Sequence, residues 1–386
     1  MKISKFLLVI FLCFELISCG NSDSKITDTN SEEQTQQEEN DANENEAKGL
    51  VFVDEYSIPA DLSFEETRVG GLSGIDYANG QWYLISDDPN TSRFYTADIV
   101  YNSSGFTDFQ FSSVVIFKDT SGVIFNDGFN DPEAIRIDGE TIVWTSEGNI
   151  NNNQPPSVNF SNGEGDLINT ATLASRYNDF SENNGPLQNG AFEGLSLSAD
   201  NQGYWVSMEL PLQQDGPAPT PASTNSHVRV AFIDKTTGVM GEEFAYKLDP
   251  VARAATLGTS FELNGVVEIL AVSSTKFLFL ERSFATGYAD GGYNIKIYEV
   301  DTSNATDISS IEALDGADFI SATKTLLFDF EDIRPELTNG LLYNLEGMTF
   351  GPNFENGNRS LLIIADNNFN AIVPQLNQCI LLEWID

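Results

Sequence analysis

From residue 50 onward the chain is punctuated by short apolar runs. W-Y-L-I-S (82–86), T-I-V-W-T (141–145), K-F-L-F-L (276–280) and L-L-I-I-A (361–365) are examples. Each is rich in β-branched or aromatic residues and is bounded by clusters of Gly, Asn or Asp, which is how strands and their turns read. No long stretch carries the 3.6-residue period of an amphipathic helix. The pattern predicts an all-β domain.

The runs repeat. Four segments align without gaps on a glutamate: P-E-A-I-R-I (132–137), F-E-G-L-S-L (192–197), V-E-I-L-A-V (267–272) and L-E-G-M-T-F (345–350). A fifth, L-S-G-I-D-Y (72–77), has Ser73 in that place. Strand alternation puts each Glu on the face of the apolar residues two and four positions on. A second acid ends the next apolar run: Asp87, Glu147, Glu209, Glu281 and Asp366. Turn residues stand at or beside the midpoint of each pair, for example Gly80, Asn201 and Asn356. Each pair therefore brackets a β-hairpin, and antiparallel pairing brings both acids to the same end.

Two further strands follow in most units, such as H-V-R-V-A-F-I-D and E-F-A-Y-K-L after Glu209. After Asp366 only C-I-L-L-E-W-I remains, and L-V-F-V-D-E-Y (50–56) can supply the missing outer strand. Four-stranded units closed by the N-terminal strand describe a β-propeller. Five blades are expected, with room for a sixth in the irregular stretch 150–190. A β-sandwich or two stacked barrels would not explain a repeated hairpin with acids at matching ends.

In a propeller the first strand of each blade lines the central channel. Glu133, Glu193, Glu268 and Glu346 would ring one mouth with Ser73, and Asp87, Glu147, Glu209, Glu281 and Asp366 would form a neighbouring ring. So many carboxylates in a dehydrated site cannot all stay ionised unaided. An oxygen-rich, histidine-free set suits a hard cation, above all Ca²⁺, with Asn367 and Asn368 expected to add neutral ligands or substrate contacts. The plainer alternative is a set of hydrated acids that serve only the fold.

Charge and targeting signals narrow the function. The net charge of −39 argues against a nucleic-acid partner, which needs a basic face. The one histidine, His227, rules out a His-rich zinc site and leaves little for a Ser-His-Asp triad. Residues 1–18 read as a signal peptide: Lys2 and Lys5, then an apolar core too short to span a bilayer. L-I-S-C-G (16–20) resembles the lipobox of bacterial lipoproteins, with Cys19 as the lipidated residue, against the alternative of an ordinary secretory signal. Residues 19–49 form an acidic, disordered tether, leaving 50–386 as the folded domain. The expected location is the outer membrane or cell surface, with the periplasm as the alternative. Cys379 is the only thiol besides Cys19 after cleavage, so no intrachain disulfide is expected.

The order G-L-S-G-I-D-Y (71–77), D-P-E-A-I-R-I (131–137), N-G-A-F-E-G-L-S-L (189–197), L-E-R-S-F (280–284), N-L-E-G-M-T-F (344–350) and I-I-A-D-N-N-F (363–369) resembles the phytase-like family, to which esterase-like activity is ascribed. The resemblance implies a propeller that hydrolyses a small phosphoester or carboxylester, with Ca²⁺ bridging carboxylates and substrate. It implies that Glu281 orients the attacking water and that Arg282, with Arg136, holds an anionic group. Arg282 pairing with an acid on a neighbouring blade is the competing expectation. With Lys and Arg totalling only 19, a polyphosphorylated substrate such as phytate is a poor fit. A non-catalytic surface-binding propeller and a Ca²⁺-dependent lactonase-like propeller are the alternatives, and a monomer is expected.

Overall fold

The computed structural model describes residues 49–385, apart from 126, 127, 129, 223, 224, 257–260 and 371–374. The expected signal peptide, Cys19 and the tether up to residue 48 lie outside the described residues.

Five four-stranded antiparallel sheets account for the domain. Blade 1 runs Leu72–Ala78, Gln81–Ser86, Arg93–Asn102 and Gly105–Ile116. Blade 2 runs Pro132–Asp138, Thr141–Ser146, Ser157–Ser161 and Leu167–Thr170. Blade 3 is Phe192–Leu197, Gly203–Met208, His227–Asp234 and Met240–Lys247. Blade 4 is Glu262–Ala271, Lys276–Ala285, Tyr293–Asp301 and Thr323–Asp329. Blade 5 is Asn344–Phe350, Arg359–Asp366, Asn377–Ile385 and, as its outer strand, the N-terminal Gly49–Ile58. Gly49 pairs with Ile385 and Ile58 with Asn377, so the two ends of the domain are stitched into one sheet. The inner strands touch one another in the order 1-2-3-4-5-1, which closes the ring. Stretch 150–190 completes blade 2 and then makes a short 3₁₀ turn at Ser175–Asn178; among the described residues it holds no sixth blade.

The blades pack face to face through apolar side chains from both faces of each sheet. Blades 2, 3 and 4 share a core that includes Val143, Phe192, Val206, Val230 and Phe279. Blades 4 and 5 share Leu280, Ile297, Met348 and Ile363. Near the axis the packing is backbone against backbone. A Cβ at Gly347 would lie 2.8 Å from Gly74 Cα and 2.9 Å from the Ser73 carbonyl. Glycine is required there because nothing else fits between adjacent inner strands.

Every inner strand slips register by one residue near its start, the mark of a β-bulge. The slip lies between Leu72 and Gly74, Pro132 and Ile135, Phe192 and Leu195, Val266 and Glu268, and Leu345 and Gly347. Matching the blades on this slip corrects the sequence alignment of blade 4. Val267 there occupies the place of Ser73, Glu133, Glu193 and Glu346, and Glu268 lies one position further on. On the second strand, Gly265 pairs with Arg282 as Asn344 pairs with Asp366, so Arg282 stands where the other blades have their second acid. Glu281 is one step out of phase and faces the other side of the sheet.

Urea unfolding tests the axial packing. Gly347→Ala should lower the unfolding free energy by about 1–3 kcal/mol, the usual cost of overpacking. Gly163→Ala, where a Cβ meets open space, should stay within about 0.5 kcal/mol of the parent. Equal effects at both positions would contradict the packing argument.

Candidate functional site

The hairpin ends converge on one mouth of the channel in two tiers. Ser73, Glu133, Glu193, Val267 and Glu346 come from the bulges of the inner strands. Asp87, Glu147, Glu209, Arg282 and Asp366 come from the ends of the second strands. Two residues before each bulge the chain places Gly71, Asp131, Ala191, Gly265 and Asn344. The glycines make room for the acids: a Cβ on Gly71 would overlap Asp87 Oδ1, and one on Gly265 would overlap Glu209 Cγ. Asp131 and Asn344 instead add polar groups. Neither was picked out by aligning the glutamates alone. The signal was their position two residues before the aligned Glu, on the same strand face.

Two carboxylate triads form here. One oxygen each of Asp131, Glu133 and Glu147 lie within 4.8 Å of one another, and so do those of Glu147, Glu193 and Glu209. Glu147 belongs to both. Arg282 faces the acids across the mouth: Nη2 donates to Glu209 Oε1 at 2.6 Å, and Nη1 to Asn344 Oδ1 at 2.8 Å and to Glu346. Asn344 Nδ2 in turn donates to Glu346 Oε1 at 2.8 Å and to Asp366 Oδ2 at 3.2 Å. The expectation that Arg282 pairs with an acid on a neighbouring blade is met on both sides, in blades 3 and 5.

One guanidinium cannot neutralise this set. Burial, reinforced by Glu193 and Asp131, pushes the Glu133 carboxyl well above the usual range. Glu147 and Glu193 are raised in the same way, by burial first and then by Glu209 and Glu147 respectively. Burial pushes Asp131 up to about 7, with Asp366 adding to it. Glu346 rises to about 8 from burial, held back by Arg282, and Asp366 to about 6 from burial. Asp87 is raised by burial and by Asp366, and its Oδ1 is buried with no hydrogen-bond partner. An all-carboxylate donor set of this density, with an orphaned oxygen beside it, fits a hard divalent cation.

Several residues expected at the mouth are engaged elsewhere. Glu268 and Arg136 pair deeper in the channel, Nη2 to Oε2 at 2.8 Å, both nearly fully buried. Arg136 also donates to the carbonyls of Ile75 at 2.9 Å, Ile135 at 2.7 Å and Met348 at 3.1 Å. Glu268 Oε1 accepts the amides of Leu195 at 2.9 Å and Ile269 at 3.0 Å. The pair ties inner strands of all five blades together as a floor to the mouth, and neither residue joins the triads. Glu281 lies between blades 3 and 4, accepting from Tyr246 Oη and Lys324 Nζ at 2.5 Å and from Asn264 Nδ2 at 2.8 Å. A position across the sheet from Arg282 does not let it orient a water at the mouth.

At the rim, Asn367 Oδ1 accepts the amides of Gly71 and Phe369, both at 3.1 Å, joining blade 5 to blade 1. Asn368 donates its backbone N–H to Asp366 Oδ1 at 2.6 Å. His227 is buried, edge-on to Phe319.

Fold and site define a five-bladed propeller with one carboxylate-crowded, floored mouth. The chain belongs to the phytase-like family described as "esterase-like activity of phytase", whose model matches residues 67–369. No curated protein matches the chain. Among solved structures it is similar to the Dos1 propeller (8% identity, 81% of this chain and 68% of that one, TM-score 0.33). It is also similar to the catalytic domain of an α-L-arabinofuranosidase from Coprinopsis cinerea (11%, 87% and 96%, TM-score 0.40). The chain spans 60% of a third, a β-fructofuranosidase from Bombyx mori (10% identity, 81% of this chain, TM-score 0.38). At these scores the likenesses add nothing to the reading of the site.

The raised carboxyls set a direction for stability. A group whose folded pKa exceeds its unfolded value binds its proton more tightly in the folded state. That stability is full below about pH 4 and is lost as pH rises through the folded values, about 6 for Asp366, about 7 for Asp131 and about 8 for Glu346. Chelator-treated protein should therefore show a falling Tm between about pH 5 and pH 8 by scanning calorimetry. A Tm that is flat or rises across that window would contradict the crowding.

Proposed function

We propose that the protein is a lipid-anchored, extracytoplasmic hydrolase that cleaves a phosphoester or carboxylester of a small molecule, with divalent cations, calcium first, at the channel mouth. The observation that carries this is the pair of carboxylate triads sharing Glu147. Family membership supports the reaction class. The donors Asp131, Glu133, Glu147, Glu193 and Glu209 are the residues that would hold the ions.

When bound, calcium would supply a water of lowered pKa and a Lewis acid for the ester oxygen. The chain's own residues do the rest. Asp87, whose Oδ1 is buried with no hydrogen-bond partner, is a carboxyl left over from the triads to accept the proton of the attacking water. Arg282 offers the one guanidinium in the two tiers to an anionic substrate group, and favours a substrate with a single such group over a polyphosphate. The Arg136–Glu268 pair ties the inner strands of all five blades together beneath the mouth and so holds its shape.

Metal-stripped protein assayed on a phosphomonoester, a phosphodiester, an acyl ester and a lactone, with calcium and with chelator, tests the reading. Calcium should restore turnover on a phosphoester or acyl ester. Glu147→Gln should lower kcat/KM by about a hundredfold or more, the scale of losing a ligand common to two ions. Restoration on the lactone alone would move the assignment to a lactonase-type propeller. Inactivity of folded, calcium-bound protein on all four substrates would overturn the hydrolase reading and leave a binding role.

A further inference from the structure

We infer that the two triads are unequal cation sites and that Arg282 makes them so, coupling the second ion to an anionic group on the substrate. The inference rests on the metal-dependent hydrolase reading above and deepens it.

Blade 4 breaks the pattern of the ring. It puts Arg282 where blades 1, 2, 3 and 5 put Asp87, Glu147, Glu209 and Asp366, and Val267 where three of them put Glu133, Glu193 and Glu346. The guanidinium is not neutral between the triads. Its Nη2 donates to Glu209 Oε1 at 2.6 Å, and Glu209 belongs only to the triad with Glu147 and Glu193. The other triad, Asp131, Glu133 and Glu147, has no ion pair to any Lys or Arg among the described residues. A cation entering it meets carboxylates with no resident positive charge to displace.

A cation entering the second triad meets a different situation. It must share Glu209 with Arg282, or displace it, and it comes close to a fixed positive charge that also acts on Glu193. Arg282 is 8% exposed and cannot turn out to water, so it gives up Glu209 only for another anion. A phosphate or carboxylate group on a substrate is such an anion, and it can accept a charge-assisted hydrogen bond from Nη2 as Glu209 does. Once the group accepts from Nη2, Glu209 Oε1 is freed for the cation. Nη1 remains held by Asn344 and Glu346, so the guanidinium keeps its place. Linkage makes the effect reciprocal: the anion tightens the second ion, and the second ion tightens the anion. In this scheme the mouth stands ready with one ion and completes its second site only with substrate present.

Calorimetric titration of the metal-stripped protein with Ca²⁺, with and without methyl phosphate, tests the inference. The parent should bind one ion tightly and a second at least about tenfold more weakly, the low end of what a charge-assisted hydrogen bond is worth. Methyl phosphate should tighten the second ion several-fold and leave the first unchanged. Arg282→Gln should bring the two affinities together and abolish the methyl phosphate effect. Two equal sites in the parent, or a second site unchanged in Arg282→Gln, would overturn the inference and leave the hydrolase reading standing. Glu209→Gln decides the matter if Arg282→Gln does not fold. Loss of the weak site alone supports the inference, and loss of both sites or of neither contradicts it. No calcium binding at all would remove the cation from the reading above and this inference with it.

Discussion

The organising constraint of this molecule is charge crowding with little solvent: six of the eight acids are buried and two, Asp87 and Asp131, are half-buried. Five hairpins end at one mouth, and their ends carry Asp87, Asp131, Glu133, Glu147, Glu193, Glu209, Glu346 and Asp366 against Arg282. Desolvation makes each negative charge costly, and each neighbour adds to the cost. Protonation, a cation, or both must balance the set. Much of the local architecture follows from this. Glycine stands at 71 and 265 because the acids need the space, and Asn344 bridges Glu346, Asp366 and Arg282 because an amide can both donate and accept.

The fold tolerates such a mouth because its stability comes from elsewhere. The blade interfaces are apolar along most of each strand, and the N-terminal strand closes the ring through a full ladder with Asn377–Ile385. The Arg136–Glu268 pair, satisfied by backbone groups from several blades, separates the acidic mouth from the rest of the channel. The buried carboxylates can therefore be poised for a ligand without loosening the core. This division of labour is common in propellers, where function is grafted onto strand ends that packing does not need.

Much of the fold was legible in the sequence. Alternating apolar residues mark the strands, Gly- and Asn-containing turns mark the hairpins, and the shortfall of one strand after Asp366 points to closure by the front of the domain. Seven of the eight acids at the mouth, Asp87, Glu133, Glu147, Glu193, Glu209, Glu346 and Asp366, were visible as registered strand ends, and Asp131 was not. Blade 4 was misread because V-E-I-L-A-V and L-E-G-M-T-F each offer a glutamate near a strand start, and a bulge shifts one against the other by a single position. A one-residue slip turns a side chain to the other face of a strand. It sent Glu281 between the blades, brought Arg282 into the ring and moved Glu268 one position deeper. The partners of Arg136 on other blades could not be read at all, because the carbonyls of Ile75 and Met348 and the Glu268 carboxylate reach it only when the ring closes.

The central claim is that cations, not protons alone, balance the mouth, with Glu147 as their common ligand. The most direct measurement is a high-resolution crystal structure of the protein grown with Ca²⁺, with anomalous diffraction used to identify the ion. The account predicts anomalous density coordinated by Asp131, Glu133 and Glu147, with a second peak beside Glu147, Glu193 and Glu209 when an anionic ligand occupies Arg282. A mouth closed by paired carboxyl groups and water, with no anomalous density at either triad, would contradict it.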